Sequence, residues 1–154
     1  MLVRSWITEW NDIIRNVIFK DAELRELMEL PEDIKIIDFI DRYFIRAGYT
    51  SKLLKDESVR IVYGSVFSNE TDVPNIKTNE MSFDIYVRYE ELHNVGNDRL
   101  TMRTQLIAAR LAELLCSERY LKGYRFWVAS ENDLGTKTAG YARYNISFNY
   151  MKIY

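Results

Sequence analysis

Between Glu80 and Cys116 the hydrophobic period of the chain changes from two to between three and four, and that switch narrows the folds open to it. In Met81-Ser82-Phe83-Asp84-Ile85-Tyr86-Val87-Arg88-Tyr89, residues Phe83, Ile85, Val87 and Tyr89 fall on one side. Ser82, Asp84, Tyr86 and Arg88 fall on the other, which marks a half-buried β-strand. After a short polar loop, Leu100, Thr104, Ile107, Ala108, Leu111, Leu114 and Leu115 recur at helical spacing and make one apolar stripe. A strand and a helix of this kind bury their apolar sides most simply against each other, as two layers of one core.

The flanking segments extend this pattern. Residues 5–20 read as a helix with Ser5 as N-cap, Trp6, Trp10, Ile13, Ile14 and Val17 on one side and Glu9, Asp12, Arg15 and Asn16 on the other. Its two tryptophans pack either on the chain's own core or on a neighbouring subunit. Leu24, Leu27 and Met28, within Asp21 to Leu30, mark a short second helix or a continuation of the first, which Pro31 ends. Pro31, Glu32 and Asp33 then suit the first turn of a third helix, expected to run to Ala47 and stop at Gly48, with Ile34, Ile37, Phe39, Ile40, Phe44 and Ile45 as a broad apolar surface. Val59 to Phe67 reads as a strand in which Gly64 marks a bend or bulge, and Ser68 to Asn79 as a long projecting hairpin loop. Asp98 is the expected N-cap of the helix from Arg99 to Cys116. Tyr124 to Ser130 is a strand, Glu131 to Gly140 a second polar loop, and Tyr141 to Tyr154 a long closing strand with Ala142, Tyr144, Ile146, Phe148 and Tyr150 on one side. The expected fold is therefore α+β: a two-layer sandwich with a mostly antiparallel four-stranded sheet packed on a long helix, and additional N-terminal helices. A single domain is expected over 1–154, with 1–30 a helical extension and 31–154 the α+β core.

Chemistry is harder to find. Metal sites need clustered His, Cys or carboxylates, and the chain has one histidine, His93, and one cysteine, Cys116, far apart. His93 is the sole candidate for the histidine base that a Cys or Ser nucleophile usually needs, and its acidic neighbours are as well explained by loop solvation and capping. Cys116 is expected to be a buried small hydrophobe, and one cysteine with no partner fits a reducing compartment. The expectation is no enzyme, no metal and no cofactor. No apolar run reaches the length of a membrane span, and Trp6, Glu9, Trp10 and Asp12 interrupt any signal-peptide core. A soluble cytosolic protein is the default. The net charge of −2, with both signs interspersed, carries no basic stripe of the kind that grips phosphates. Asn69, Glu70 and Asp72 read as a solvated loop tip. Asp84 and Arg88, on one side of the central strand, read as a cross-strand charge network or a subunit contact.

The element order and three stretches, Val59 to Gly64, Met81 to Arg88 leading into the helix at Arg99, and Glu131-Asn-Asp-Leu-Gly135 before the closing strand Tyr141 to Tyr154, resemble the tail terminator proteins of long-tailed bacteriophages, also called tail-to-head joining or tail completion proteins. The resemblance covers about residues 34 to 154. It implies a structural virion protein: a homo-hexameric ring in the phage tail or neck, assembled in the host cytoplasm, that caps the tail tube and ends its polymerisation. Its partners would be copies of itself, the tail tube protein and the head connector or stopper protein, with DNA passing through the lumen without specific binding. The loops Ser68 to Asn79 and Glu131 to Gly140 would be the contact elements. The interface candidates are then Trp6, Trp10, Asn69, Glu70, Asp72, Asp84, Arg88, Asp133, Leu134 and Lys137. Two other readings stand beside it: another neck or head-closure component, and a small cytosolic ligand-binding α+β domain.

Overall fold

The alternation predicted for the central strand is what the sheet is built on. In the computed structural model, which describes residues 2–47, 57–70, 77–95, 100–117, 123–138 and 140–152, β3 (Lys77–Arg88) lies at the middle of a five-stranded mixed sheet of order β1-β2-β3-β5-β4. Met81, Phe83, Ile85 and Val87 are all buried on one face of it. The antiparallel partners β2 (Val59–Glu70) and β5 (Tyr141–Lys152) bring Ile61 against Ile85, and Ile146 and Phe148 against Phe83 and Met81. A strand of period two, flanked by two others in register, makes one continuous apolar surface; we call it the inner face.

Helices cover that face. α4 (Arg103–Leu115) packs on β3, β4 and β5 and buries Thr104, Ile107, Ala108, Leu111, Leu114 and Leu115, six of the seven predicted stripe residues. The seventh, Leu100, precedes the helix and is 80 % exposed. The helix starts at Arg103, not Arg99, and the predicted cap Asp98 lies outside the described residues. α1 (Leu2–Ile13) starts ahead of Ser5, which is therefore inside the helix and not its cap, and it runs on as a π-helical segment through Ile18. Its Trp10 sits edge-on to Tyr63 at 5.8 Å and 6.2 Å from the Phe83 ring. α2 (Ala22–Leu27) is capped by Asp21, whose carboxylate accepts from the Leu24 amide at 2.9 Å, and it packs on α4. Buried side chains from Trp10 to Tyr150 form one cluster.

The predicted helix from Pro31 to Ala47 forms only between Ile36 and Tyr43. Only one short turn, α3 (Ile36–Asp38), and a π-helical segment (Phe39–Tyr43) are helical. The chain then extends into β1 (Phe44–Arg46), a fifth strand that runs parallel to β2, and this makes the sheet mixed. The residues that drew the helical reading, Phe39 and Phe44, stack at 5.6 Å, and Phe44 stacks on Tyr63 at 4.8 Å. Aromatic packing on the β2–β3 surface decides the backbone here over helical spacing. Gly48 lies outside the described residues.

Strand also runs into both predicted long loops, and residues 71–76 of the first lie outside the described residues. β2 continues to Glu70 and β3 resumes at Lys77, with Asn69 paired to Thr78 and Glu70 to Lys77; the irregularity foreseen at Gly64 falls between Val66 and Asn69. Residues 131–138 belong to β4 (Tyr124–Thr138), which pairs with β5 as far as Thr138 opposite Tyr141. Polar residues suit an edge strand with solvent along one side, so the missing apolar period did not mean a loop. β4 spends fifteen residues where β5 spends twelve, and the excess leaves at three irregularities, after Val128, Asp133 and Gly135. Gly140, at φ +79°, turns the chain from β4 into β5.

Candidate interaction surface

The outer face of the sheet faces away from the helices. Its rows follow from the strand register. Gly64, Ser82 and Ser147 stand side by side, then Val62, Asp84 and Asn145, then Arg60, Tyr86 and Arg143, and then Arg88 beside Tyr141. Towards β4, Asn149 stands beside Trp127. Alternation on three neighbouring strands places these residues together, since each inward position turns the next one outward.

The rows are hydrogen-bonded across the strands. The Asn145 side-chain amide donates to Ser82 Oγ at 2.9 Å and to Asp84 Oδ1 at 2.8 Å. Ser147 Oγ donates to Ser82 Oγ at 3.0 Å. Asp84 does pair across strands, and its cation is Arg143, at 2.9 Å, with the guanidinium 5.7 Å from the Tyr86 ring centre. The Asp84 and Arg143 side chains are 24 % and 38 % exposed, so solvent screens the pair and its contribution is about 1 kcal/mol at most. Burial works against the Arg143 charge, but the hydrogen bond and charge of Asp84 outweigh it and raise its pKa. Burial raises the Tyr86 hydroxyl.

One end of this face is anchored more deeply. Glu57 precedes β2 and is hydrogen-bonded to both Arg60 and Arg42, the latter at 2.6 Å. Burial opposes its ionisation, yet the two guanidinium hydrogen bonds prevail and bring its pKa down to about 2. Tyr141 Oη donates to the Glu57 carbonyl at 3.1 Å and accepts from Arg88 Nε at 3.4 Å. Four arginines from distant parts of the chain thus gather at this end, and only pairing could reveal it. In the sequence, Arg42, Arg60, Arg88 and Arg143 lie far apart, with no basic cluster to mark them.

Neither a protein-family model nor a curated protein matches this chain.

The remaining predicted interface residues do not converge on one place. Trp10 is buried in the chain's own core and leaves little surface for a neighbour. Trp6 lies in α1. Asn69 and Glu70 are paired residues of β2 at the end of the sheet remote from the Gly140 turn, and Asp72 lies outside the described residues. Asp133, Leu134 and Lys137 belong to the edge strand β4. Asp133 is exposed and accepts from the Gly135 amide at 3.0 Å, and Leu134 is the extra residue of the second irregularity. The two predicted contact segments therefore occupy opposite ends of the sheet. Cys116 is exposed at the end of α4, not buried as its place near the apolar stripe implied; the stripe ends at Leu115.

The turn that joins the sheet to α4 is held from below. Arg103, only 5 % exposed, donates to the Glu91 carbonyl at 3.1 Å, to the Leu27 carbonyl at 2.6 Å and to Asn94, and it meets Glu29 at 3.2 Å. His93 lies within the turn it braces. Among the described residues, no three His, Cys, Asp or Glu side chains are grouped to hold a metal ion. No described helix is long and apolar enough to cross a membrane.

Proposed function

We propose that this chain is a subunit of a bacteriophage tail terminator: copies form a ring that caps the tail tube, ends its polymerisation and meets the head connector. The observation that carries the reading is where the resembling stretches lie. Val59 to Gly64, Met81 to Arg88, Glu131 to Gly135 and Tyr141 onward, scattered over some two-thirds of the sequence, fall in the adjoining strands β2, β3, β4 and β5 of one sheet. A second support is the sheet's division into a helix-covered face and a polar outer face. This is the two-layer arrangement a ring subunit needs if one side is core and the other is contact surface. The hexameric state and the tube and connector partners are part of the proposal.

The test is native mass spectrometry and negative-stain imaging of the full chain, alone and with polymerising tail tube protein. The reading expects closed rings of identical copies, free or at tube ends, and shorter tubes when the chain is present. A protein that stays monomeric at high concentration and leaves tube growth unchanged would end it.

A further inference from the structure

Charge is divided between the two sides of this molecule in a way its near-neutral total conceals. By strand register the outer sheet face carries four arginines, Arg60, Arg88, Arg125 and Arg143, against two carboxylates among the described residues, Glu80 and Asp84, with Glu57 beside it paired to Arg60. The helical side carries the reverse. From Glu9 to Asp33 the chain has eight carboxylates against three basic residues, and Glu23, Glu26, Glu29, Glu32 and Asp33 are all exposed. Arg110 and Arg103, reaching from α4, engage Asp21, Glu23 and Glu29, which leaves the α2 surface acidic. Since α2 packs on α4 and α4 on the sheet, the acidic surface and the arginine-bearing face lie on opposite sides of the molecule.

We infer that the outer sheet face of one copy docks on the acidic α2 surface of the next, head to tail. The inference deepens the ring reading above and rests on it. Opposite charge on opposite sides favours a heterologous contact, the only kind that propagates around a ring. Pairing the sheet face with itself would set arginine against arginine, which costs rather than stabilises. The outer face also carries half-buried Trp127 and Tyr86 beside its arginines, residue types enriched where proteins meet. The acidic partner surface needs only to be met by cations, and Arg88, Arg125 and Arg143 stand on one face of the sheet.

The experiment is a mixing test on the full chain, read by sedimentation and native mass spectrometry. One variant carries Arg125→Glu and Arg143→Glu on the sheet face; the other carries Glu26→Lys and Glu32→Lys on the helical side. Each alone should weaken self-association tenfold or more, roughly the effect of turning two attractive pairs repulsive. An equal mixture should recover it, because the reversed faces are again complementary. Recovery also shows that both variants are folded, and Arg125→Glu alone, at an exposed position without the Asp84 pair, should give part of the loss. Wild-type association should fade towards ~1 M salt, where the screening length is ~3 Å. If wild type forms rings and both variants form them equally well, the inference falls and the ring reading stands. If the chain associates through these faces yet never caps a tube, the inference stands and the ring reading falls. If the sheet-face variant loses only binding to duplex DNA, the face belongs to nucleic acid and the inference falls.

Discussion

Replacing Phe83 by alanine tests the face assignment on which the sheet reading depends. Phe83 is 0 % exposed, and its ring lies 5.7 Å from Phe148, 6.0 Å from Phe44, 6.2 Å from Trp10 and 6.4 Å from Tyr63. Truncation loses the transfer free energy of the ring and opens a cavity that these aromatic neighbours cannot all relax into. Core Phe→Ala changes of this kind cost about 3–5 kcal/mol. Because every one of those rings would then border a void, about 4 kcal/mol is the central expectation, against a total stability of about 5–15 kcal/mol for a domain. At this chain length that corresponds to a fall in Tm of about 8–16 °C. Tyr86, three residues along the same strand but on the outer face, is half-buried against the Arg143 guanidinium, and Tyr86→Ala should cost about 1 kcal/mol. The assay is urea unfolding of both variants followed by tryptophan fluorescence and circular dichroism. Equal losses at the two positions, or a loss below about 1 kcal/mol at Phe83, would refute the assignment of β3's two faces.

Three further outcomes are expected. Glu57 has its pKa held at about 2 in the fold against an ordinary 4.5, so its contribution is present above pH ~4.5 and is lost as pH falls towards 2; that fall is worth about 3 kcal/mol, and Glu57→Gln should flatten the acid limb of a stability–pH curve. Arg103→Met should cost about 1–3 kcal/mol, since it leaves two part-buried carbonyls without their donor and loosens the turn before α4, and hydrogen exchange should rise at 89–95 before it rises in β3. Cys116 should take up one equivalent of a maleimide without denaturant, though slowly at neutral pH because partial burial raises its thiol pKa; no labelling until the protein unfolds would show that the end of α4 is covered.

What could be read in the sequence, and what could not, divides along a physical line. Met81 to Val87 and Thr104 to Leu115 were legible because each has one side in the core and one in solvent, so burial writes its period into the residues. Residues 131–138 were not, because an edge strand with solvent beyond it imposes no apolar alternation, and a glycine and two acids read as a loop. β1 was hidden for the opposite reason. Phe39, Ile40, Phe44 and Ile45 fit helical spacing, and only the stacking of Phe44 on Tyr63, from a strand some twenty residues on, settles its backbone. Of the candidate surface, Asp84 and Arg88 could be named from alternation alone. Arg143 as the partner of Asp84, and the gathering of Arg42 and Arg60 around Glu57, depend on strand order and register, which one sequence does not state.

The surplus of three residues in β4 over its neighbour bears on what can grow along the margin of this sheet. A flexible peptide with an even stride that tried to zip onto that margin would drop out of step at each irregularity, within about four residues of starting. Fibrous accretion is starved of a template there, whereas a folded neighbour with a matching contour meets no such obstacle. The margin thus acts as a filter, open to a prepared partner and closed to stray chain.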